Sequence, residues 1–315
     1  MTVSQSPTES QPSVQRTTET VDDPYVGLDT WPIERVLHAL HDAQGAAVAA
    51  VGPALPAIGA AAGAAARRLA AGGRLVYVGA GSSALMALAD GLEIPQTYGV
   101  PDEAVRLIVP GGVERLSRLD GVLEDRRDLG QADVAAANIG AADFVLAIAA
   151  SGATPYTLAG LAADAGRGAE TAALVCNRNA PLLDHARHGI VVATPPEVIA
   201  GSTRMGAGTA QKVALNIFST ALGLHLGHVY DGLMVNLRAD NDKLRARAAG
   251  IVARIGGVGI GEAETALREA GGEVKIAVLL LRGLPQEKAR SLLLANGGNL
   301  RLALARVGRE GTGTE

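Results

Sequence analysis

The sequence of 315 residues has very few aromatic side chains, few charged side chains and a single cysteine. Aromatic residues make up 3% of the chain, so its core has to be built from Ala, Val, Leu and Ile on helices and buried strands, which favours an α/β fold. Because Cys176 is the single cysteine, an intrachain disulfide framework and any zinc site that needs several thiolates are excluded. A lone cysteine fits a reducing compartment, and we expect a cytoplasmic protein.

An excess of basic residues over acidic ones and a membrane-spanning signal are lacking as well. The net charge of -4 and the pI near 5.9 give no basic excess for binding nucleic acid, so a small molecule is the expected partner. The longest apolar stretch, residues 46–66, is rich in Ala, Gly and Pro and follows no basic segment. The sequence therefore predicts neither a signal peptide nor a membrane span.

Three segments follow from the distribution of polar and apolar residues. Residues 1–22 carry Ser, Thr, Gln and Glu with hardly an apolar anchor, which predicts a mobile tail. Residues 23–245 form the predicted main domain, because helical periodicity alternates there with short apolar runs. Residues 246–315 have helical periodicity without a strand signal, which predicts a small C-terminal helical module.

Short, continuously apolar runs alternate with helical segments in the main domain. Such runs predict a parallel sheet buried on both faces by helices, that is, a three-layer α/β domain. Ligands bind these sheets beyond the carboxyl ends of the strands. The predicted strands are residues 74–78, 105–109, 144–150, 170–176 and 189–192.

Two glycine loops with hydroxyl side chains follow two of these strands. Glycines let a ligand approach the backbone, amides at a helix start point outward, and hydroxyls add donors for a phosphate dianion. One such loop is a common strand-to-helix turn, and neither loop matches a P-loop or a complete dinucleotide fingerprint. Two of them predict a bipartite phosphate cradle that uses neither metal nor lysine. The residues of the cradle are Gly81, Ser82, Ser83, Ser151, Gly152 and Thr154.

The histidines fall in pairs spaced three residues apart, which on a helix share a face and can hold a metal. No carboxylate or cysteine completes a ligand set near them, so we interpret the pairs as ordinary packing and surface residues and expect no metal. The pairs are His38 with His41, His185 with His188, and His225 with His228.

Longer motifs carry a resemblance to a known family. Residues 77–83 (YVGAGSS), 150–156 (ASGATPY) and 196–205 (PEVIAGSTRM) resemble the SIS (sugar isomerase) domain of N-acetylmuramic acid 6-phosphate etherases, and the resemblance runs from about Thr18 to Arg306. It implies a SIS fold, a C-terminal module of the ubiquitin-associated type, no cofactor, and a homodimer with the site at the interface.

The resemblance also implies an activity and its residues. The family cleaves the C3 lactyl ether of the phosphorylated sugar by elimination and water addition, giving N-acetylglucosamine 6-phosphate and D-lactate. Glu93 and Glu124 match the positions of its two catalytic carboxylates, and our hypothesis makes Glu124 the base and Glu93 the acid. The alternative for either is an ordinary solvated helix charge. Further expected substrate ligands are Glu197, Ser202, Thr203 and Lys212.

Three positions depart from the family pattern, and each lacks a cation that the etherases often carry. Leu85 follows the first loop, Ala153 lies in the second, and Gly206 follows the third motif. A related ether or sugar phosphate therefore stays open as the substrate. Two other functions also stay open: a sugar-phosphate isomerase or deaminase that uses Glu197 for proton transfer, and a noncatalytic sugar-phosphate-binding regulator.

Overall fold

Five parallel strands form the central sheet of the protein. The computed structural model describes residues 17–310, apart from the side chains of residues 164, 165, 309 and 310. The strands lie in the order β2-β1-β3-β4-β5, and all neighbouring pairs are parallel. They are β1 (Leu75–Gly79), β2 (Val105–Ile108), β3 (Phe144–Ala149), β4 (Glu170–Val175) and β5 (His188–Val191).

Helices precede, separate and follow these strands. Along the main domain they are α1 (Ile33–Ala49), α2 (Leu55–Ala70), α3 (Gly81–Gly91), α4 (Ile94–Tyr98), α5 (Gly121–Glu124), α6 (Arg127–Ala136), α7 (Pro155–Ala165) and α8 (Gly206–His225). The predicted strands differ from the observed ones by at most one residue at each end.

Both faces of the sheet are covered. Successive strand residues point to opposite faces, so Leu75 and Tyr77 join one cluster of buried residues, which α2 and α8 complete. Val76 and Val78 join a second cluster on the other face, with residues of α6 and α7. The predicted three-layer α/β arrangement is confirmed, and it places the carboxyl ends of the strands at one edge where loops can form a site.

The C-terminal helices form a separate core. They are α9 (Asp242–Gly256), α10 (Ile260–Glu269), α11 (Val274–Leu280), α12 (Gln286–Ala295) and α13 (Leu300–Glu310). Their buried residues make a cluster of their own, which also takes in Val235 and Leu237 upstream of the expected boundary at residue 246. The likeness of these helices to a ubiquitin-associated-type module stays a prediction.

A short antiparallel hairpin, which the sequence did not predict, follows α8 and consists of β6 (Val229–Tyr230) and β7 (Leu233–Met234). Asp231 and Gly232 connect the two strands with φ angles of 48° and 74°. An Asp-Gly pair between apolar residues is a known hairpin signal because both turn positions need positive φ. The strands are two residues long, too short for the periodicity that revealed the main sheet.

Only part of the predicted mobile tail can be compared with the structure. Residues 1–16 lie outside the described residues. Thr17–Glu19 forms a 3-10 turn, and Thr18 is fully buried. Its carbonyl accepts a hydrogen bond from the Gly201 amide at 2.8 Å. The end of the expected tail is therefore docked on the loop before α8, which corrects the prediction for these residues.

The first two helices differ in how they are packed. Ile33–Ala70 is long and apolar enough to cross a membrane by composition alone, a test that core helices also pass. In the apolar 18-residue stretch that meets this test, 33% is buried. α2 contributes six buried residues to the protein, whereas α1 has one, Ala47. Ile33 and Leu37 on α1 are 62% and 58% exposed. An apolar face of α1 is thus uncovered in the single chain.

Candidate active site

The two glycine loops lie side by side at the carboxyl edge of the sheet. The first follows β1 and opens α3, and the second follows β3 and precedes α7. β1 and β3 are neighbours, and Gly79 at the end of β1 pairs in register with Ile148 near the end of β3. The structure thus brings the two halves of the predicted cradle together.

The first loop is in contact with one of the two candidate glutamates. Gly81 has a φ of +54°, and a Cβ atom on it would lie 2.7 Å from Oε1 and 2.8 Å from Oε2 of Glu124. Only glycine suits this position, for its conformation and for the closeness of the carboxylate. The N-cap residue of α3, Ala80, provides no side-chain cap, so the first amides of the helix stay available to an anion.

Glu124 has the environment of a group prepared for proton transfer. It is half-buried at the end of α5, a short helix whose N-cap Asp120 accepts a hydrogen bond from the Val122 amide at 3.1 Å. Burial, and after it the charge of Asp125, raises the pKa of Glu124. A raised glutamate pKa lies closer to neutral pH, where a general base is most effective.

The second loop is held by its own hydrogen bonds. Gly152 has a φ of +64°, and a Cβ there would collide with that of Ala180. Ser151 Oγ accepts the Ala153 amide at 3.2 Å, which leaves its hydroxyl hydrogen for a ligand. The Thr154 carbonyl accepts from the Leu158 amide at 2.9 Å and so begins α7. The side chains of Ser151 and Thr154 are half-buried, within reach of the edge of the sheet.

Glu197 does not occupy a position where it can contact a substrate, contrary to the sequence prediction. It is 4% exposed, and its two carboxylate oxygens accept the amides of Gly206 at 2.8 Å and Ala207 at 2.9 Å. These are the first amides of α8, where a negative charge is favourable. Glu197 is therefore the N-terminal cap of α8, and the isomerase alternative loses its proposed base.

The remaining predicted ligands lie around the starts of α3 and α8. Ser202 and Thr203 are half-buried in the turn before α8, where their carbonyls accept the amides of Met205 and Gly208. Ser82 is half-buried in the first turn of α3. The Ser83 hydroxyl instead points into the interior, where it donates to Gln211 Oε1 at 3.1 Å. Ser83 thus ties α3 to α8.

The C-terminal end of α3 is fixed by a buried carboxylate that the sequence analysis did not identify. Asp90 is 4% exposed and accepts hydrogen bonds from the hydroxyls of Tyr77 at 2.7 Å and Ser219 at 2.8 Å. Burial raises its pKa despite these bonds and the nearby charge of Lys212. Alternating polarity cannot reveal such a residue, because its partners come from β1 and α8.

The side-chain end of Lys212 and the residue Glu93 lie at this same end of α3. Lys212 Nζ donates to the Ala89 carbonyl at 3.4 Å, so in the single chain the side chain of this predicted substrate ligand is directed toward the C-terminal end of α3. Glu93 is exposed just before α4. Within the described part of the chain its carboxylate forms no hydrogen bond or ion pair, and it does not line the cavity beside Glu124.

Two arginines that the sequence analysis passed over line that cavity. Arg115 and Arg118 come from the segment between β2 and α5, and the cavity also includes Gly81 and Glu124. The signal was present in the sequence, since two cations precede Glu124 closely. Only the fold shows that Arg115 and Arg118 line the same cavity as Gly81 of the first loop.

A larger cavity of about 730 Å³ lies at the opposite end of the sheet, beneath the C-terminal helices. His225 and His228 line it, and none of the predicted site residues does. Burial lowers the pKa of His228 to about 4, and burial lowers the pKa of Lys275, which donates to the Gly298 carbonyl at 2.7 Å, to about 8. This cavity is therefore separate from the two glycine loops and from Glu124.

The histidine pairs are also separated from the carboxyl edge of the sheet, where the two glycine loops lie. His188 contacts the buried Glu170 at 3.0 Å, and His41 contacts Asp42 on the surface. Among residues 17–310, no three His, Cys, Asp or Glu side chains gather in a way that could hold a metal ion.

A buried parallel sheet with two hydroxyl-bearing glycine loops at adjacent strand ends defines a SIS-type sugar-phosphate domain. No family model matches the chain. It is 42% identical to the N-acetylmuramic acid 6-phosphate etherase of Deinococcus radiodurans, over 92% of this chain and 95% of that protein. It is 40% identical to the one of Streptomyces avermitilis, over 93% of this chain and 94% of that protein. The chain belongs to the N-acetylmuramic acid 6-phosphate etherase family.

Solved structures with a similar fold are more distant. A phosphoheptose isomerase from Francisella tularensis has a TM-score of 0.43 and 17% identity, over 62% of this chain and 97% of that chain. The sugar isomerase domain of an RpiR transcription factor from Sphaerobacter thermophilus has a TM-score of 0.41 and 21% identity, over 60% of this chain and 88% of that chain.

Proposed function

We propose that this chain is a carbon-oxygen lyase that cleaves the D-lactyl ether of N-acetylmuramic acid 6-phosphate to N-acetylglucosamine 6-phosphate and D-lactate. The curated relatives that match nearly its whole length carry the name of this activity. The observation that carries the proposal is the position of Glu124, a half-buried carboxylate with a raised pKa in contact with the first glycine loop.

The reaction needs one base and one acid. Glu124 takes the C2 hydrogen, which the C1 aldehyde of the open-chain sugar makes more acidic, and the electron pair forms a C2–C3 double bond as the C3–O bond breaks. The acid, Glu93, protonates the departing lactate oxygen. Water then adds its oxygen to C3 and a proton returns to C2. The glycine loops hold the phosphate with hydroxyls and amides.

The two glutamates require a second copy of the chain. α3 is 11 residues long, and at ~1.5 Å per residue its two ends lie about 16 Å apart. Glu124 lies at one end and Glu93 follows the other, so that one chain does not place both beside a single C2–C3 bond. A homodimer in which Glu93 of the partner subunit faces Glu124 completes the site at the interface.

The uncovered face of α1 supports this assembly. Ile33, Leu37 and Val48 on this helix are between 45% and 62% exposed, and apolar residues grouped on one face commonly mark a protein interface.

We place the homodimer in the cytoplasm, where a lyase of this kind recycles amino sugars of peptidoglycan. The single, buried Cys176 fits that compartment.

The test is to incubate the purified chain with N-acetylmuramic acid 6-phosphate in water enriched in oxygen-18. We expect D-lactate without the label and N-acetylglucosamine 6-phosphate with one labelled oxygen at C3, because the C3–O bond breaks. Glu124→Gln is the matched control and should release lactate about 100- to 10,000-fold more slowly. Isomerised sugar without lactate would support an isomerase, and label in the lactate would contradict elimination.

A further inference from the structure

The cavity beside Glu124 carries two arginines that face it from one segment. Arg115 and Arg118 follow a turn at Gly111 and Gly112, whose φ angles are +75° and +86°. A Cβ on Gly111 would lie 2.8 Å from Arg115 Cδ, so the absence of a side chain there lets the arginine stem pass over the backbone. Arg115 and Arg118 both line the small cavity, of about 20 Å³, that Glu124 also lines.

Neither arginine is paired with an acidic side chain among the residues that the structure describes. Asp120 and Glu124 line the same cavity, but Asp120 accepts the Val122 amide. The pKa of Glu124 is raised by burial and by Asp125 rather than lowered by a cation. Two cations are thus held close to the base without pairing to it.

The substrate named by the relatives has two anionic groups, a phosphate and the carboxylate of the lactyl ether. The two glycine loops contain no lysine or arginine, and Leu85, Ala153 and Gly206 add none. Loops of amides and hydroxyls suit the phosphate. The carboxylate still needs a partner, and the planar guanidinium fork of arginine matches a carboxylate with two parallel hydrogen bonds.

We infer that Arg115 and Arg118 bind the lactyl carboxylate and make the site selective for an acidic ether. The lactyl group is attached at C3, next to the carbon from which Glu124 takes the proton, so a cation beside Glu124 is near the carboxylate once the sugar is bound. The inference rests on the proposed function, because that reaction supplies the lactyl group. The phosphate stays with the loops.

The experiment compares N-acetylmuramic acid 6-phosphate with its lactyl amide, which has the same shape without the charge. Arg115→Gln and Arg118→Gln should each lower kcat/KM for the acid sugar by about 10- to 100-fold, the loss expected for a charge-assisted bond to a carboxylate. The amide sugar should change less than about 2-fold. Arg115→Lys should keep part of the preference because it keeps the charge.

Controls separate the inference from other causes. Arg127→Gln removes an exposed arginine at the start of α6 that does not line the cavity, and it should leave both sugars unaffected. Equal losses for the acid and the amide sugar would overturn the inference. So would a weaker Kd for N-acetylglucosamine 6-phosphate in Arg115→Gln, since this product has a phosphate but no carboxylate.

The proposed function can fail separately. If the unmodified chain releases lactate from neither sugar, the reaction is wrong. The Kd values of the two intact sugars then decide the inference: tighter binding of the acid sugar that Arg115→Gln abolishes supports it, and equal Kd values contradict it.

Discussion

The two ends of α3 differ in nearly every physical respect. At the N-terminal end the helix has no side-chain cap, glycine is required at Gly81, and the carboxylate of Glu124 lies close by, with no hydrogen bond from any residue that the structure describes. At the C-terminal end the Asp90 carboxylate accepts two hydrogen bonds at 2.7 and 2.8 Å and is buried. One end is open to a ligand, and the other is closed by protein groups.

The two ends of α3 therefore differ in role: the N-terminal end borders the candidate site, and the C-terminal end anchors the helix in the fold. An unsatisfied, partly desolvated carboxylate is reactive, while a satisfied buried one stabilises a fold. β1 and α8 fix the C-terminal end of α3, because Tyr77 and Ser219 donate hydrogen bonds to Asp90. The helix in turn holds the first loop at its N-terminal end. Among the described residues, no hydrogen bond or ion pair involves the carboxylate of the exposed Glu93 beyond that fixed end, which agrees with its proposed role in the site of a second subunit.

The largest expected effects come from removing the two glutamates in turn. Glu124→Gln should lower lactate release by about 100- to 10,000-fold, the usual contribution of a positioned base, and it should stop wash-in of solvent deuterium at C2. Glu93→Gln should lower lactate release as well but keep some exchange at C2, because the proton can still be removed and returned. Proton NMR in heavy water measures both.

The same measurement can reverse the roles. Exchange that is lost in Glu93→Gln and kept in Glu124→Gln would make Glu93 the base, and full lactate release by either variant would remove that residue from the mechanism. Asp125→Asn serves as a control because Asp125 raises the pKa of Glu124. A base must be ionised, so this variant should keep activity and move the acidic limb of the kcat/KM profile to lower pH.

A smaller but decisive effect is expected from mixed dimers. Glu93→Gln and Glu124→Gln chains with different tags are co-expressed, and the heterodimer is purified. If each site combines Glu124 of one chain with Glu93 of the other, one site is intact and the heterodimer should show about half of the unmodified activity. No recovery above either variant alone would place both glutamates of a site in one chain. A mass near 31.9 kDa with full activity would exclude the dimer.

Sequence patterns predicted what depends on local periodicity. The strand residues 75–79 read as continuously apolar because both faces of β1 are covered, and the two glycine loops follow from the strand ends. The cap formed by Glu197 was missed because its partners, Gly206 and Ala207, come after an irregular turn. The direction of the Lys212 side chain was missed for a similar reason, since the α3 carbonyl that it reaches depends on how two distant helices pack.

The smallest expected effect concerns the closed end of α3. Asp90→Ala leaves the buried hydroxyl of Tyr77 without its acceptor, whereas Ser219 Oγ can still donate to the Asn216 carbonyl, and an unsatisfied buried group costs about 1 to 3 kcal/mol. We expect the free energy of unfolding to fall by about that amount in urea denaturation at pH 7. Asp125→Ala removes an exposed carboxylate and should change stability by less than about 0.5 kcal/mol.

Asp90→Asn tests whether charge or hydrogen bonding matters at that end. Burial raises the folded-state pKa of Asp90, so the wild type loses stability as the pH rises through that pKa, while the asparagine variant does not titrate there. The stability of Asp90→Asn relative to the wild type should therefore improve from acidic to neutral pH. A relative stability that falls over the same range would mean that Lys212 and the two hydroxyls favour the ionised carboxylate more than burial disfavours it. The end of α3 would then be anchored by a charge pair.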